Sequence, residues 1–165
     1  MYNKHRFGAF LIASLIAAAL PLAAQDRPYA GHGYGYFGLS GTKGATFGKL
    51  LSAGGGGEAF LYKGLAVGAD VGYLGHHKNF RSDGFGLLST NGSYHFVTSR
   101  EQKLAPFLTM GRGLAFRSGT ANLTNVGGGV QYWLNNRVGL RVEYRDYFTM
   151  NDPHIHTVRV GFSFR

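Results

Sequence analysis

Apolar and polar residues alternate along this chain with a period of two. The last ten residues show it most plainly. Val158, Val160, Phe162 and Phe164 are apolar, and Thr157, Arg159, Gly161 and Ser163 between them are small or polar. Successive side chains of a strand point to opposite faces, so this reads as a strand with one greasy and one wet face. Residues 65–74 set Leu65, Val67, Ala69, Val71 and Tyr73 against Ala66, Gly68, Asp70 and Gly72. Residues 85–96 set Leu88, Thr90, Tyr94 and Phe96 against Ser89, Asn91, Ser93 and His95. In 124–134, Val126, Val130, Tyr132 and Leu134 oppose Asn125, Gly127, Gly129 and Gln131. In 138–147, Val138, Leu140, Val142 and Tyr144 oppose Gly139, Arg141, Glu143 and Arg145. With the less regular stretches 33–41, 53–62 and 105–116, and the final 156–164, the pattern predicts eight strands.

Their connections alternate in character. Lys63-Gly64, Thr98 to Lys103 and Asn135-Asn136-Arg137 are short and polar, whereas Thr42 to Leu50, Gly75 to Gly84, Arg117 to Ala121 and Thr149 to Ile155 are mostly longer. Short turns at one end and longer loops at the other, with strands of about 9–11 residues, match a tilted membrane-spanning sheet. An even number of strands closes such a sheet without an edge, which hydrocarbon requires. The fold class expected is therefore all-β: an eight-stranded antiparallel up-and-down transmembrane β-barrel. Tyr73, Tyr94, Phe96, Phe116, Tyr132, Tyr144, Phe162 and Phe164 fall near strand ends, as interfacial girdles do. A soluble barrel with the same alternation would turn its apolar face inward. Low charge, 15% of residues, and 27 glycines favour the membrane reading.

The N-terminus adds to it. Lys4 and Arg6 precede an apolar run from Phe7 to Leu20, and Pro21-Leu22-Ala23-Ala24 ends in small residues. That run is too short to span a bilayer as a helix, so residues 1–24 read as a secretory signal peptide and 25–165 as one barrel domain. There is no cysteine, hence no disulfide framework and no thiolate chemistry. The chain is basic, +9 formally, but has no clustered run of Lys/Arg and no nucleic-acid motif. No nucleic-acid partner is expected.

Several motifs carry a resemblance: Gly-Gly-Gly-Gly-Glu at 54–58, Ser-Tyr-His-Phe at 93–96, Pro-Phe-Leu-Thr at 106–109, Gly-Gly-Gly-Val-Gln-Tyr-Trp at 127–133 and Val-Gly-Leu-Arg-Val-Glu-Tyr-Arg-Asp at 138–146. Over residues 30–165 the chain resembles small eight-stranded outer-membrane β-barrels of the OmpA/OmpX type. The resemblance implies the bacterial outer membrane as location, with lipid and lipopolysaccharide as surroundings. It also implies periplasmic chaperones and the barrel-assembly machinery as partners during biogenesis, and a monomer. Phe162 and Phe164 resemble the C-terminal assembly signal, although Arg165 follows where the family ends in an aromatic residue. The family brings no shared chemistry.

The candidate site is the wet face. Alternation puts Glu58, Asp70 and Glu143 there with Arg141, Arg145 and Arg159, joined by His95 and Gln131. An eight-stranded barrel is just wide enough for side chains to fill, so these charges must pair. Glu143 is expected to bridge Arg159 or its own-strand neighbours Arg141 and Arg145. Such an interior is either a salt-bridged plug or a narrow gated pore. Lys43, Lys49, His77, Lys78 and Arg81 are candidate contacts for lipopolysaccharide phosphates. Arg112 falls with Leu108, Met110, Leu114 and Phe116 on the lipid face, so it either snorkels to the outer rim or is turned inward by a bulge. Ser93, His95 and Glu143 invite a hydrolase reading, but nothing in the spacing makes them adjacent. Gly44 to Lys49 is one residue short of a phosphate loop and is followed by Leu50. His76-His77 and His154/His156 lack a carboxylate pattern that makes a metal site specific. No metal and no cofactor is expected. A non-enzymatic structural or surface-binding barrel is the leading reading, a small porin the second. A lipid-A-modifying enzyme and a soluble ligand-binding barrel are further alternatives.

Overall fold

A computed structural model describes residues 30–42, 47–80, 84–97, 99, 101–117, 119–149 and 154–165. The predicted signal peptide lies outside them. Eight strands follow in chain order: β1 (Gly31–Thr42), β2 (Leu50–Tyr62), β3 (Leu65–His76), β4 (Phe85–His95), β5 (Leu104–Phe116), β6 (Thr120–Trp133), β7 (Val138–Phe148) and β8 (Ile155–Phe164). Each pairs antiparallel with the next, and β1 pairs with β8, closing the barrel.

The wall is staggered. Register partners lead once around it from Gly31 through Ala59, Val67, Gly92, Met110, Val126, Asp146 and His156 to Gly41, ten residues further along β1. A stagger of this size tilts the strands by about 40° and leaves an interior that side chains fill. Most strand ends fall within two residues of the sequence expectation, and two differ by more. β2 begins at Leu50 and β6 at Thr120, because Leu50 to Ser52 and Thr120 to Leu123 complete ladders whose partners on β1, β3 and β5 are already in place. The connection between β5 and β6 is therefore short, not one of the longer ones: only residues 117–119 lie between the strands, against 96–103 between β4 and β5.

The β2–β3 turn shows how sequence sets register. Lys63 and Gly64 both have positive φ, 39° and 88°. This is the backbone of a two-residue hairpin whose twist matches its strands. A side chain at Gly64 would strike the carbonyl of His95, which lies against it because the His95 amide donates to the Gly64 carbonyl at 2.8 Å.

The faces divide as membrane immersion requires. Phe37 (76% exposed), Met110 (68%) and Leu108 (59%) stand on the outer wall, while Asp70, Arg145 and Arg159 are buried inside. A soluble barrel would do the reverse, and that alternative falls. The interior is layered. At the end where β1 begins and β8 ends, Phe60, Ala66, Val97, Ala105 and Trp133 form an apolar cluster. At the opposite end Leu74, Leu87, Leu123 and Tyr147 form another, backed by Phe85, Ala115 and Ile155. Polar and charged side chains fill the space between.

Candidate functional site

The middle of the barrel holds a charge network whose arginines and carboxylates stand on inward-facing positions of four strands, β2, β3, β7 and β8. Glu143 on β7 sits between its own-strand neighbours. Arg141 Nε donates to one carboxylate oxygen at 3.1 Å, and Arg145 Nε and Nη2 reach the other at 2.6 and 2.5 Å. Residues two apart on a strand share a face, so this triad follows directly from Arg-x-Glu-x-Arg in an extended chain. Each arginine then crosses the lumen. Arg141 Nη2 donates to Glu58 Oε1 on β2 at 3.1 Å, and Arg145 Nη1 to Asp70 Oδ2 on β3 at 2.7 Å.

Arg159 is the register partner of Glu143, yet its contacts lie elsewhere. Its Nη2 donates to the Tyr147 hydroxyl, its Nη1 stands 3.6 Å from Asp70 Oδ1, and its guanidinium lies 4.2 Å over the Tyr36 ring. His95 Nε2 meets Glu58 Oε2 at 2.7 Å, and its ring stacks on Phe107. His32 Nε2 stands 3.5 Å from the same carboxylate oxygen. Gln131 Oε1 accepts from Ser163 Oγ at 2.8 Å, nearer the Trp133 cluster. Asn91 Nδ2 donates to Asp70 at 2.8 Å. Arg141 also lies 4.0 Å over the Phe107 ring and 4.4 Å over Tyr34, so its guanidinium meets aromatic faces as well as carboxylates. Three arginines face three carboxylates, and every member of the set is buried.

Sequence reasoning put Asn91 on the wet face without naming it in the network, and did not single out His32, Tyr34, Tyr36, Phe107 or Tyr147 for this interior. For Tyr147 the signal was present, since the Arg141, Glu143, Arg145 alternation continues onto it. His32 lay before the first predicted strand. Ser93 Oγ makes no hydrogen bond, and His95 is committed to Glu58 and Phe107, so the three hydrolase candidates do not assemble into a relay.

The remaining candidates occupy the rims. Phe162 and Phe164 point outward at the terminal end of β8, both 55% exposed. At the opposite end Lys49, His77 and Lys78 are exposed, and the His77 amide donates to the Lys49 carbonyl at 3.1 Å, tying the two loops together. Lys43 and Arg81 lie outside the described residues. Arg112 faces outward, its register unbroken on both sides, so no bulge turns it in. One group escaped the sequence reading. On the outer wall, Asp146 accepts from His154 Nδ1 at 2.5 Å and lies 3.2 Å from His156 Nδ1, which also meets the Tyr144 hydroxyl at 2.7 Å. Among the described residues, no cluster has the geometry to hold a metal ion.

Residues 7–165 match the family model of the outer membrane protein beta-barrel domain. The chain belongs to this family. Family membership places it in the bacterial outer membrane, with its strands spanning the bilayer. No curated protein matches it. Among solved structures it is similar to the N-terminal β-barrel domain of Pseudomonas aeruginosa OprF, at 16% identity and a TM-score of 0.61, covering 85% of this chain and 98% of that one. Neisserial surface protein A is similar at 15% identity and 0.59, covering 85% and 98%. Ail of Yersinia pestis is similar at 14% identity and 0.57, covering 82% and 96%. At these identities the likeness is one of fold.

Proposed function

We propose that this outer-membrane barrel is a closed, non-catalytic platform that presents a basic outer surface to anionic ligands. The observation that carries this is the pair of apolar clusters sealing the interior at both ends. Between them the charges neutralise one another, so neither an open ion path nor an accessible nucleophile is supported. The net positive charge of residues 25–165 then belongs to the rims, since Arg112 and Asp146 cancel on the wall. The outer connections carry Lys43, Lys49, Lys78, Arg81 and Arg117 against Asp83 and Asp152. Rigid strands hold such loops in place, and loops on a rigid scaffold are where binding usually resides. The Ail barrel has been seen in complex with the heparin analogue sucrose octasulfate, which supports a polyanion as the class of ligand for a barrel of this shape.

The test has two arms. Mature protein refolded into planar bilayers should show no unitary current steps; regular steps would favour the small-porin reading instead. Binding of sucrose octasulfate to the micelle-refolded protein should weaken several-fold in the Lys49→Glu/Lys78→Glu variant. Unchanged binding, or none in the parent, would remove the surface-binding half of the proposal.

A further inference from the structure

The outer wall carries an arginine that neither the interior network nor the loops explain. Arg112 is exposed on the lipid face of β5, with Leu114 and Phe116 beyond it toward the outer end. A residue on a strand tilted by about 40° rises roughly 2.5 Å along the barrel axis. Arg112 therefore lies about 10 Å below the outer end of β5 and about 20 Å above Leu104 at its inner end. The apolar band of such barrels is about 25 Å tall. Arg112 is thus at the outer margin of the apolar depth, beneath two apolar side chains, and not in the water beyond them.

A guanidinium has five N–H donors and a charge that is never lost. Here Arg112 Nη1 donates to Thr124 Oγ1 at 3.3 Å, and among the described residues no carboxylate meets it. Thr124 and Thr90 are its register partners on the two flanking strands, so a hydroxyl side chain stands on either side. The stagger of the wall raises each successive strand by about 3 Å. Arg112, Thr124, Asp146 and His156 consequently share one belt about 5 Å deep. On β1–β4 the same belt carries Leu39, Leu51, Tyr73 and Leu88. Polar residues at that level occur on one side of the barrel only. A lipid-facing arginine is costly deep in the bilayer and far less so at the headgroup level. Asp146 is engaged by His154 and His156 and lies two strands away, leaving Arg112 open to an external anion.

We infer that Arg112, flanked by Thr124 and Thr90, holds a phosphate of the phosphorylated glycolipid in the outer leaflet. The planar guanidinium takes two phosphate oxygens, and a threonine hydroxyl donates to a third. The site is on the wall and stands independently of the loop residues in the functional proposal. Its acyl chains would lie along Leu108, Met110 and Val126 below.

The experiment is native mass spectrometry of micelle-refolded protein titrated with diphosphorylated lipid A, dephosphorylated lipid A and phosphatidylglycerol. Parent protein should retain one diphosphorylated lipid. Arg112→Leu should bind it at least tenfold more weakly, as loss of a charged hydrogen-bonded pair implies. Arg112→Lys should fall between them. Dephosphorylated lipid A should not distinguish parent from Arg112→Leu. Because this substitution removes a charge from the lipid face, it leaves folding intact, which gel mobility with and without boiling checks. Equal retention of diphosphorylated lipid by parent and Arg112→Leu overturns the inference. So does an equal loss with the dephosphorylated lipid, or phosphatidylglycerol binding as tightly as lipid A.

Discussion

Replacing Glu143 by alanine should be the most damaging single change in the barrel interior. Glu143 is buried, and it is the one carboxylate that bonds two arginines on its own strand. After the substitution three buried arginines face two carboxylates. Arg141 keeps Glu58, one of its two carboxylate contacts, and Arg145 keeps Asp70, one of its three. Breaking a buried pair by removing one partner costs about 3–5 kcal/mol, since the other charge stays buried without compensation. Equilibrium urea unfolding in lipid vesicles measures it, and the chain supplies its own probe. Trp133 is the only tryptophan and lies in the apolar cluster at the inner end. A double-mutant cycle with Arg145→Ala isolates the pair and should give a coupling above about 1 kcal/mol. The reasoning fails if Glu143→Ala lowers stability by less than about 1 kcal/mol, the range of an exposed ion pair. A coupling near zero would have the same effect.

Two further outcomes test the assignment of faces and the turn. Val142→Arg places a charge on the outer wall near mid-membrane, beside inward Arg141 and Glu143. It should cost about 2–4 kcal/mol by the same assay, and a loss below about 1 kcal/mol would mean that this face does not meet hydrocarbon. Gly64→Val forces a β-branched residue into positive φ against the His95 carbonyl. It should destabilise by more than about 1 kcal/mol and slow refolding of the heat-modifiable form; unaltered behaviour would show that the hairpin is not set by its turn.

The fold was legible because its signal is purely local. Alternation needs only the extended backbone, and in β3, β7 and β8 it is nearly unbroken, so strand existence and facing could be read directly. The extra residues of β2 and β6 could not. Leu50-Leu51 and Thr120-Ala121-Asn122 carry no clean alternation, and they are strand because partners across the ladder hold them there. The same limit applies to the interior. Which residues face inward follows from the period of two, but which acid meets which base depends on the stagger of ten residues around the wall, which no single strand encodes. Arg159 illustrates this: it lies directly opposite Glu143 in the ladder and yet reaches Asp70 across the lumen and Tyr147 further along β7. The Asp146, His154, His156 group was hidden for a related reason. Its members sit on two strands and a loop end, and only register brings them together.

The interior charges are also divided along the chain. Glu58 and Asp70 belong to β2 and β3, whereas Arg141, Arg145, Arg159 and Glu143 belong to β7 and β8. The first half of the chain therefore carries an inward face of charge −2 and its second half one of charge +2. Two curved half-walls of opposite sign attract, and a half-wall stacked against a copy of itself is repelled. The order of acids and bases along the sequence thus favours facing the first half of the wall with the second over facing either half with its own copy.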